Sequence, residues 1–325
     1  VTAFVYVAGV FWIQPIVEFG TLIAMGNYAS RFWQPILNIA DIYNEMINTL
    51  AYLERIFETM DEPVKIKDAE DAYDLPPIKG EVEFKDVVFE YEPGHPILKG
   101  MNFKVRPGES VALVGPTGAG KTTVINLISR FYDIASGQVL IDGHEVSKVT
   151  LHSLRSQMGI MMQDSFIFSG DIRENIRYGK LDASQEEIER ASKTVRADEF
   201  IRTMEKGYDT TVNERGSRLS QGQKQLISFA RTLISDPKIL ILDEATSSID
   251  TKTERLMQEG INQMLKGRTS FIIAHRLSTI KNCDRIMYID DGRIVESGSH
   301  DELMELKGEY YKLYTAQLQE ISLPA

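Results

Sequence analysis

The chain has 325 residues, of which 43% are hydrophobic and 26% charged, a balance typical of a folded globular protein with one large domain or two smaller ones. Its net charge of −11 argues against a protein that coats nucleic acid, because phosphate backbones are held by clustered Lys and Arg. The single cysteine, Cys283, excludes a disulfide framework and a cysteine-rich metal site. It indicates folding in a reducing compartment and predicts an ordinary buried side chain.

The first 60 residues predict helices related to a membrane. Residues 1–17 carry no charge, yet they lack an initiator Met and a basic start, so they favour a membrane helix whose beginning is missing over a signal peptide. We therefore expect the chain to be a fragment. From Thr21 to about Met60, apolar residues recur every three or four positions, which predicts one long helix. We expect its first half to cross the membrane and its charged second half to project into water.

Arg31 lies in the apolar first half of that helix. A charge at membrane depth commonly faces a protein interior or a wet cavity and is a functional candidate. The alternative, an arginine that reaches the membrane surface or pairs with another helix, stays open.

A second domain is predicted after a linker. Residues 61–80 contain Pro, Asp and Lys with little periodicity, which indicates a linker. From residue 81 to 325, strand-like runs alternate with helical patterns, which predicts an α/β domain with a mostly parallel sheet covered by helices. The predicted strands are EVEFKDVVFEY, SVALVG, QVLIDG, KILILDE, SFIIAH and RIMYID.

A phosphate-binding loop follows the second of these strands. The segment SVALVGPTGAGKTT contains G-x-x-x-x-G-K-[ST] from Gly115 to Thr122, between a strand and a helix-like run. In this motif Lys121 reaches the β and γ phosphates and Thr122 offers its hydroxyl to Mg²⁺. The sequence therefore predicts a P-loop NTPase that binds ATP and Mg²⁺. The predicted phosphate contacts are Gly115, Pro116, Thr117, Gly118, Ala119, Gly120, Lys121, Thr122 and Thr123.

Two further strands end in residues suited to hydrolysis. In KILILDEATSSID, side chains alternate at the strand end, so Asp243 can face Mg²⁺ while Glu244 polarises an attacking water. In SFIIAH, His275 follows the strand and can hydrogen-bond the γ-phosphate and the water beside it. Asp243 is thus a predicted metal ligand, and Glu244 and His275 are predicted catalytic residues.

Together with these motifs, four more stretches give the chain a family likeness. Tyr91 in FEYEPG, Gln163 in MMQDSFIFSGDIRENIRYG, LSQGQ from Leu219 to Gln223, and Asp250 in SID resemble the motifs of ATP-binding cassette (ABC) exporters. The resemblance covers nearly the whole chain. It implies a truncated transmembrane segment over 1–60 and an ABC nucleotide-binding domain with a helical signature subdomain over 81–325.

The resemblance also implies roles for these residues. Tyr91 would stack on adenine. Gln163 would take part in catalysis, bind the metal ion and link the nucleotide site to the membrane domain. Asp250 would contact nucleotide in the loop that joins two active sites. Two such domains would meet head to tail, so that the signature residues Ser220, Gly222 and Gln223 bind the ATP of a partner. The residues Phe166, Ile167 and Phe168 would form an apolar socket for a loop of the membrane domain.

As an exporter, the protein would be a multi-pass protein of the cell membrane with its nucleotide-binding domain in the cytoplasm. Its cargo would be a small molecule such as a drug, or a lipid or a peptide. Gln221 stands where the signature usually has glycine, while the catalytic set is complete. That combination resembles one subunit of bacterial heterodimeric multidrug exporters, so a heterodimer is favoured. A homodimer stays possible if Gln221 points away from the nucleotide.

Other ABC proteins are less compatible with the sequence. DNA-associated members insert a long coiled coil between the P-loop and the signature, and ribosome-associated members carry two such domains. A regulatory or channel-gating domain would be recognised by loss of Glu244 or His275, and both residues are present. No nucleic-acid partner is therefore expected.

Overall fold

The computed structural model describes residues 19–161, 166–213, 216–217, 219–243, 251–273 and 277–322. The chain divides into two units, Val1–Lys65 and Ile66–Ala325. The described helices are α1 (Phe19–Met60), α2 (Lys121–Ile128), α3 (Leu151–Arg155), α4 (Ile172–Arg177), α5 (Gln185–Thr194), α6 (Ala197–Thr203), α7 (Gln221–Leu233), α8 (Thr251–Leu265), α9 (Leu277–Lys281), α10 (His300–Leu306) and α11 (Glu309–Ser322). The described strands are β1 (Val82–Glu90), β2 (Pro96–Val105), β3 (Ser110–Val114), β4 (Ser136–Ile141), β5 (His144–Glu145), β6 (Met158–Met161), β7 (Gly170–Asp171), β8 (Thr211–Val212), β9 (Ile239–Asp243), β10 (Thr269–Ile273), β11 (Arg285–Asp290) and β12 (Arg293–Gly298).

In the first unit, α1 is a single helix of 42 residues, as the periodicity predicts. In the described part of the chain, no helix is both long enough and apolar enough to cross a membrane. For α1 the length suffices, but Asn27, Arg31 and Gln34 interrupt its apolar first half. The prediction that this half crosses a membrane stays a prediction.

The second unit is built on a six-stranded sheet in the order β12-β11-β3-β10-β9-β6. Neighbours from β11 to β6 run parallel, and β12 joins the edge as the antiparallel arm of a hairpin. The four apolar residues of β9 are covered on the faces they point to: Ile239 and Ile241 belong to one apolar cluster, and Leu240 and Leu242 to the other. Burial on both faces explains why β9 reads as an unbroken apolar run.

A separate four-stranded antiparallel sheet in the order β2-β1-β4-β5 packs against this one. Phe103 stacks on Phe84 of its own sheet at 4.4 Å between ring centroids and approaches Phe271 of the parallel sheet at 6.4 Å. The sequence prediction placed EVEFKDVVFEY and QVLIDG in the parallel sheet, and this is wrong. The turn between β1 and β2 is too short for a parallel crossover, so the two strands pair antiparallel.

The boundary between the units lies earlier than the predicted linker end. Within residues 66–80, Leu75 and Ile78 are both buried at 5% exposure and join the core of the second unit. The Asp142 carboxylate accepts the backbone N–H groups of Lys79, Gly80 and Glu81. The second half of the predicted linker is therefore part of the domain.

Candidate functional site

The loop between β3 and α2 has the shape of a phosphate cradle. Gly115 has φ 140°, and a Cβ there would lie 2.0 Å from the Ile289 carbonyl oxygen. Gly120 caps α2 in the left-handed region at φ 105°. These conformations favour glycine, and they lead the chain directly into a helix whose first N–H groups have no partner within the helix. The loop therefore offers N–H donors and a helix N-terminus at one place, which suits an anion.

Lys121 closes this loop. Its Nζ donates to the carbonyl oxygens of Gly115 and Pro116, each at 2.8 Å. Burial lowers the pKa of the Lys121 amine, and the nearby Asp243 carboxylate opposes that shift. The ammonium thus lies over the loop and within electrostatic reach of the end of β9, where an incoming phosphate can replace its carbonyl partners.

Three strand ends converge at this edge of the sheet. Ile273 at the end of β10 pairs in register with Leu113 of β3 on one side and with Asp243 of β9 on the other. Asp243 is half-buried, and Thr122 is exposed in the first turn of α2. A carboxylate and a hydroxyl at one edge are the hard oxygen ligands that Mg²⁺ takes, with the remaining positions left to phosphate and water. The residues present therefore fit Mg²⁺, although the described residues contain no cluster of three or more His, Cys, Asp or Glu side chains that could hold a metal.

Four predicted site residues, Gln163, Glu244, Asp250 and His275, lie outside the described residues. Asp243 immediately precedes Glu244, and His275 comes two positions after Ile273. Their predicted roles stay predictions.

Tyr91 lies beside the helix that follows the P-loop. Its hydroxyl is 3.2 Å from the Thr123 Oγ1 and 3.5 Å from the Asn126 Nδ2. Phe89 and Tyr132 meet the ring edge to face, with centroids at 4.7 and 5.0 Å. The ring is 48% exposed, so it can still offer a surface to a planar ligand. Thr123, predicted as a phosphate contact, is buried, and its hydroxyl lies beside that of Tyr91. Its contact with phosphate stays a prediction.

The signature segment begins α7. Ser220 is the N-cap, and its Oγ accepts the Gln223 N–H at 3.2 Å while the Gln223 Oε1 accepts the Ser220 N–H at 2.9 Å. This capping box turns both polar side chains toward their own helix start. Gly222 is buried, and Gln221 is exposed at the first helical position. Gln221 is therefore open to solvent at the start of the helix.

The three residues of the predicted apolar socket differ in how far they are buried. Phe166 and Phe168 are 49% and 37% exposed, whereas Ile167 is fully buried in the core, so only the aromatic pair belongs to the surface. Arg231 holds this pair from beneath: its Nη1 donates to the Phe166 carbonyl oxygen at 2.8 Å, and its guanidinium lies 5.2 Å from the Phe168 ring centroid. Tyr178 extends the surface, with its ring 4.6 Å from that of Phe168.

Sequence reasoning missed several contributors to the site. Asn126, Tyr132 and Gly292 contact Tyr91 or the P-loop. A signal existed for Gly292, since Asp-Gly between two strand-like runs predicts a tight hairpin. None existed for Asn126 and Tyr132, whose contact with Tyr91 depends on the packing of two distant segments.

A phosphate-binding loop between a parallel strand and a helix, with an acid at a nearby strand end, defines the second unit as a P-loop nucleotide-binding domain. Residues 98–247 match the family model described as ABC transporter. The second unit thus has the ABC ATPase fold, and its residues 98–247 match the ATP-binding domain of ABC transporters.

Individual relatives agree with this assignment. YfiC of Bacillus subtilis (strain 168), an uncharacterized ABC transporter ATP-binding protein, is 48% identical over 314 residues, or 97% of this chain and 52% of that protein. A fatty acid ABC transporter ATP-binding/permease protein of Mycobacterium bovis is 44% identical over 300 residues, or 92% of this chain and 47% of that protein. A solved structure of a bacterial Atm1-family ABC exporter with ATP bound has a TM-score of 0.76 at 39% identity, covering 92% of this chain and 52% of that chain. This chain spans about half the length of the curated relatives it matches.

Proposed function

We propose that the chain is the ATP-hydrolysing part of a membrane exporter, in which ATP binding and hydrolysis drive transport. The observation that carries this proposal is the P-loop, whose Lys121 lies over the loop and within electrostatic reach of Asp243. The exporter named for the related solved structure has ATP bound, which supports ATP as the nucleotide.

In this proposal each residue of the site has a distinct task. The P-loop N–H groups and the start of α2 bind the phosphates, Lys121 neutralises their charge, and Tyr91 orients the base. Thr122 and Asp243, with Gln163, would hold Mg²⁺, which supplies positive charge between the β and γ phosphates when bound. Glu244 would orient and polarise the attacking water, and His275 would hydrogen-bond the γ-phosphate.

A second subunit would complete each site. Ser220, Gly222, Gln223 and the start of α7 would contact the γ-phosphate of the ATP held by the partner, and Asp250 would lie where the two sites meet. The closed pair would open after hydrolysis, because contacts to the γ-phosphate are lost. The exposed pair Phe166 and Phe168 would receive a loop of the membrane domain.

The pair is proposed as a heterodimer, since this chain combines a complete catalytic set with an altered signature. A homodimer is the second candidate, and it requires that the exposed Gln221 side chain point away from the nucleotide.

The membrane-spanning part is proposed to comprise residues 1–60, as the end of a transmembrane domain, together with the segments that the relatives have beyond this chain. This would place the whole protein in the cell membrane and the second unit in the cytoplasm. The cargo is proposed to be an apolar small molecule, a drug or a lipid, with a peptide as the alternative. The relative named as a fatty acid transporter supports the lipid.

The test is hydrolysis and transport by the assembled protein carrying Glu244→Gln. We expect ATP to bind with normal affinity and hydrolysis to slow by orders of magnitude, because the water is no longer polarised while the phosphate contacts remain. Uptake of a lipid or drug into inverted vesicles should stop when ATP hydrolysis is lost.

Glu186→Gln is the matched control, because Glu186 is an exposed glutamate in the first turn of α5. It should hydrolyse ATP normally. Hydrolysis near the wild-type rate in the Glu244 variant would remove that residue from the mechanism. Absence of nucleotide binding in all three proteins would refute the ATPase proposal itself.

A further inference from the structure

The turn between β11 and β12 consists of two residues, Asp291 and Gly292. Both have positive φ, 43° and 73°. Positive φ at both central positions is characteristic of a type I′ turn, the tight hairpin connection that Asp-Gly favours.

This turn connects two other parts of the domain through the backbone of Gly292. The Gly292 N–H donates to the Ala119 carbonyl oxygen of the P-loop at 3.2 Å. The Gly292 carbonyl oxygen accepts the Lys99 N–H of β2 at 3.1 Å. One residue thus joins the P-loop to the antiparallel sheet.

The backbone of β2 lies so close to Gly292 that no side chain fits at position 292. A Cβ on Gly292 would lie 2.1 Å from the Ile97 carbonyl oxygen, which is a backbone atom and cannot move aside as a side chain can. The backbones of Gly115 in the P-loop and Ile289 in β11 are equally close, since a Cβ on Gly115 would lie 2.0 Å from the Ile289 carbonyl oxygen. The hairpin therefore touches the P-loop region directly at two points, backbone against backbone.

An ion pair fixes the turn from outside. The Lys99 Nζ donates to the Asp291 Oδ1 at 2.5 Å, and this hydrogen bond with the ammonium lowers the pKa of the Asp291 carboxyl. Lys99 contributes both this side-chain contact and the backbone N–H that binds Gly292.

We propose that the Asp291–Gly292 turn is a positioning element for the P-loop, which holds the Ala119 peptide, and with it the phosphate-binding N–H groups, in the geometry that binds ATP. The inference rests on the proposed ATP binding at this loop. Gly292 acts through Ala119 and does not itself contact the nucleotide.

The chain contains a matched control for this turn. Asp142 and Gly143 form the same two-residue connection between β4 and β5, with φ 48° and 82°, and a Cβ on Gly143 would meet nothing within 4 Å. Gly292→Ala and Gly143→Ala therefore impose the same backbone strain, but Gly292→Ala alone adds a clash that must displace the turn or β2.

The test is ATP affinity of the full chain with thermal unfolding measured in parallel. Gly292→Ala should raise the Kd for ATP about 10- to 100-fold, the effect expected when binding groups are displaced by about 1 Å. Gly143→Ala should stay within about twofold of wild type in ATP affinity while losing some thermal stability to backbone strain. Equal ATP affinity in the two variants would overturn the inference and leave the proposed function intact. Failure of wild type and of Gly143→Ala to bind ATP would refute both.

A second set of variants decides the matter if Gly292→Ala does not fold. Lys99→Met removes the ion pair without a clash and should raise the Kd for ATP about two- to fivefold, with Lys99→Arg restoring it. Lys85→Met is the control, since Lys85 pairs with Glu83 at 3.5 Å in the same sheet, away from the turn. Affinity in Lys99→Met equal to that in Lys85→Met would contradict the positioning role.

Discussion

Replacing Tyr91 tests whether its half-exposed ring binds the adenine of ATP. Removing an aromatic ring that stacks on a base costs about 1 to 3 kcal/mol, or about 5- to 150-fold in Kd. Phe89 and Tyr132 already cover part of the Tyr91 ring, which leaves 48% of the residue exposed. Since these two rings limit the area that Tyr91 can offer to the base, we expect Tyr91→Ala to weaken ATP binding by about 10-fold, in the lower part of that range.

The other substitutions at this position separate the ring from its hydroxyl. Tyr91→Phe loses only the 3.2 Å contact with the Thr123 Oγ1, so its Kd should change by less than about threefold. Tyr91→Trp keeps an aromatic surface and should be tolerated. Tyr73→Ala is the control, because Tyr73 is 43% exposed, meets His144 edge to face and hydrogen-bonds its Nδ1 at 2.8 Å.

The assay is equilibrium binding of ATP and of inorganic triphosphate to each variant. Stacking predicts that Tyr91→Ala weakens ATP binding and leaves triphosphate binding unchanged, because triphosphate has no base. An equal loss for both ligands would show that Tyr91 supports the P-loop instead, and no loss for either would remove Tyr91 from the site.

Two further predictions concern the signature helix and Lys121. Ser220→Ala should lower the free energy of unfolding by about 1 kcal/mol through loss of the N-cap, and Ser299→Ala in the capping box of α10 should do the same. Only Ser220→Ala should slow ATP hydrolysis by the assembled protein. Equal hydrolysis rates in the two variants would exclude Ser220 from the partner's site. Burial lowers the pKa of Lys121, so its charge is lost earlier than that of an exposed lysine as the pH rises, and ATP affinity should fall at a lower pH than the pH at which an exposed lysine loses its charge. In Lys121→Arg the guanidinium stays charged, so this decline should be absent in binding titrations; an identical decline in both proteins would assign it to another group.

The parts of the site that the sequence predicted well are those fixed by local geometry. The P-loop is recognisable because its glycines, Lys121 and Thr122 must occur at set spacings between a strand and a helix. The long helix α1 is recognisable because its apolar period is sustained over many turns, and Cys283 is buried as predicted. The P-loop and α1 are determined by residues that are close in sequence, and Cys283 follows the general preference of cysteine for the interior.

The errors arose where distant segments decide the outcome. Strand β1 alternates buried with exposed or half-buried residues, which is typical of an antiparallel strand with one covered face, and it pairs antiparallel with β2 and β4. The alternation was therefore a signal for this arrangement. Leu75 and Ile78 stand alone in a polar stretch without periodicity, so their burial depends on a site that the rest of the domain supplies. The exposed position of Gln221 follows from the cap at Ser220, which an S-x-x-Q pattern could have indicated.

The attachment of residues 66–80 to the second unit determines where the domain can be cut for recombinant production. A fragment beginning at Glu81 would expose to water the apolar surface that Leu75 and Ile78 cover. The Asp142 carboxylate would also lose two hydrogen-bond donors, the N–H groups of Lys79 and Gly80. An uncovered apolar surface of this kind promotes self-association. A fragment beginning at Ile66 keeps this cover, so its behaviour in solution reports on the domain and not on an artificial edge.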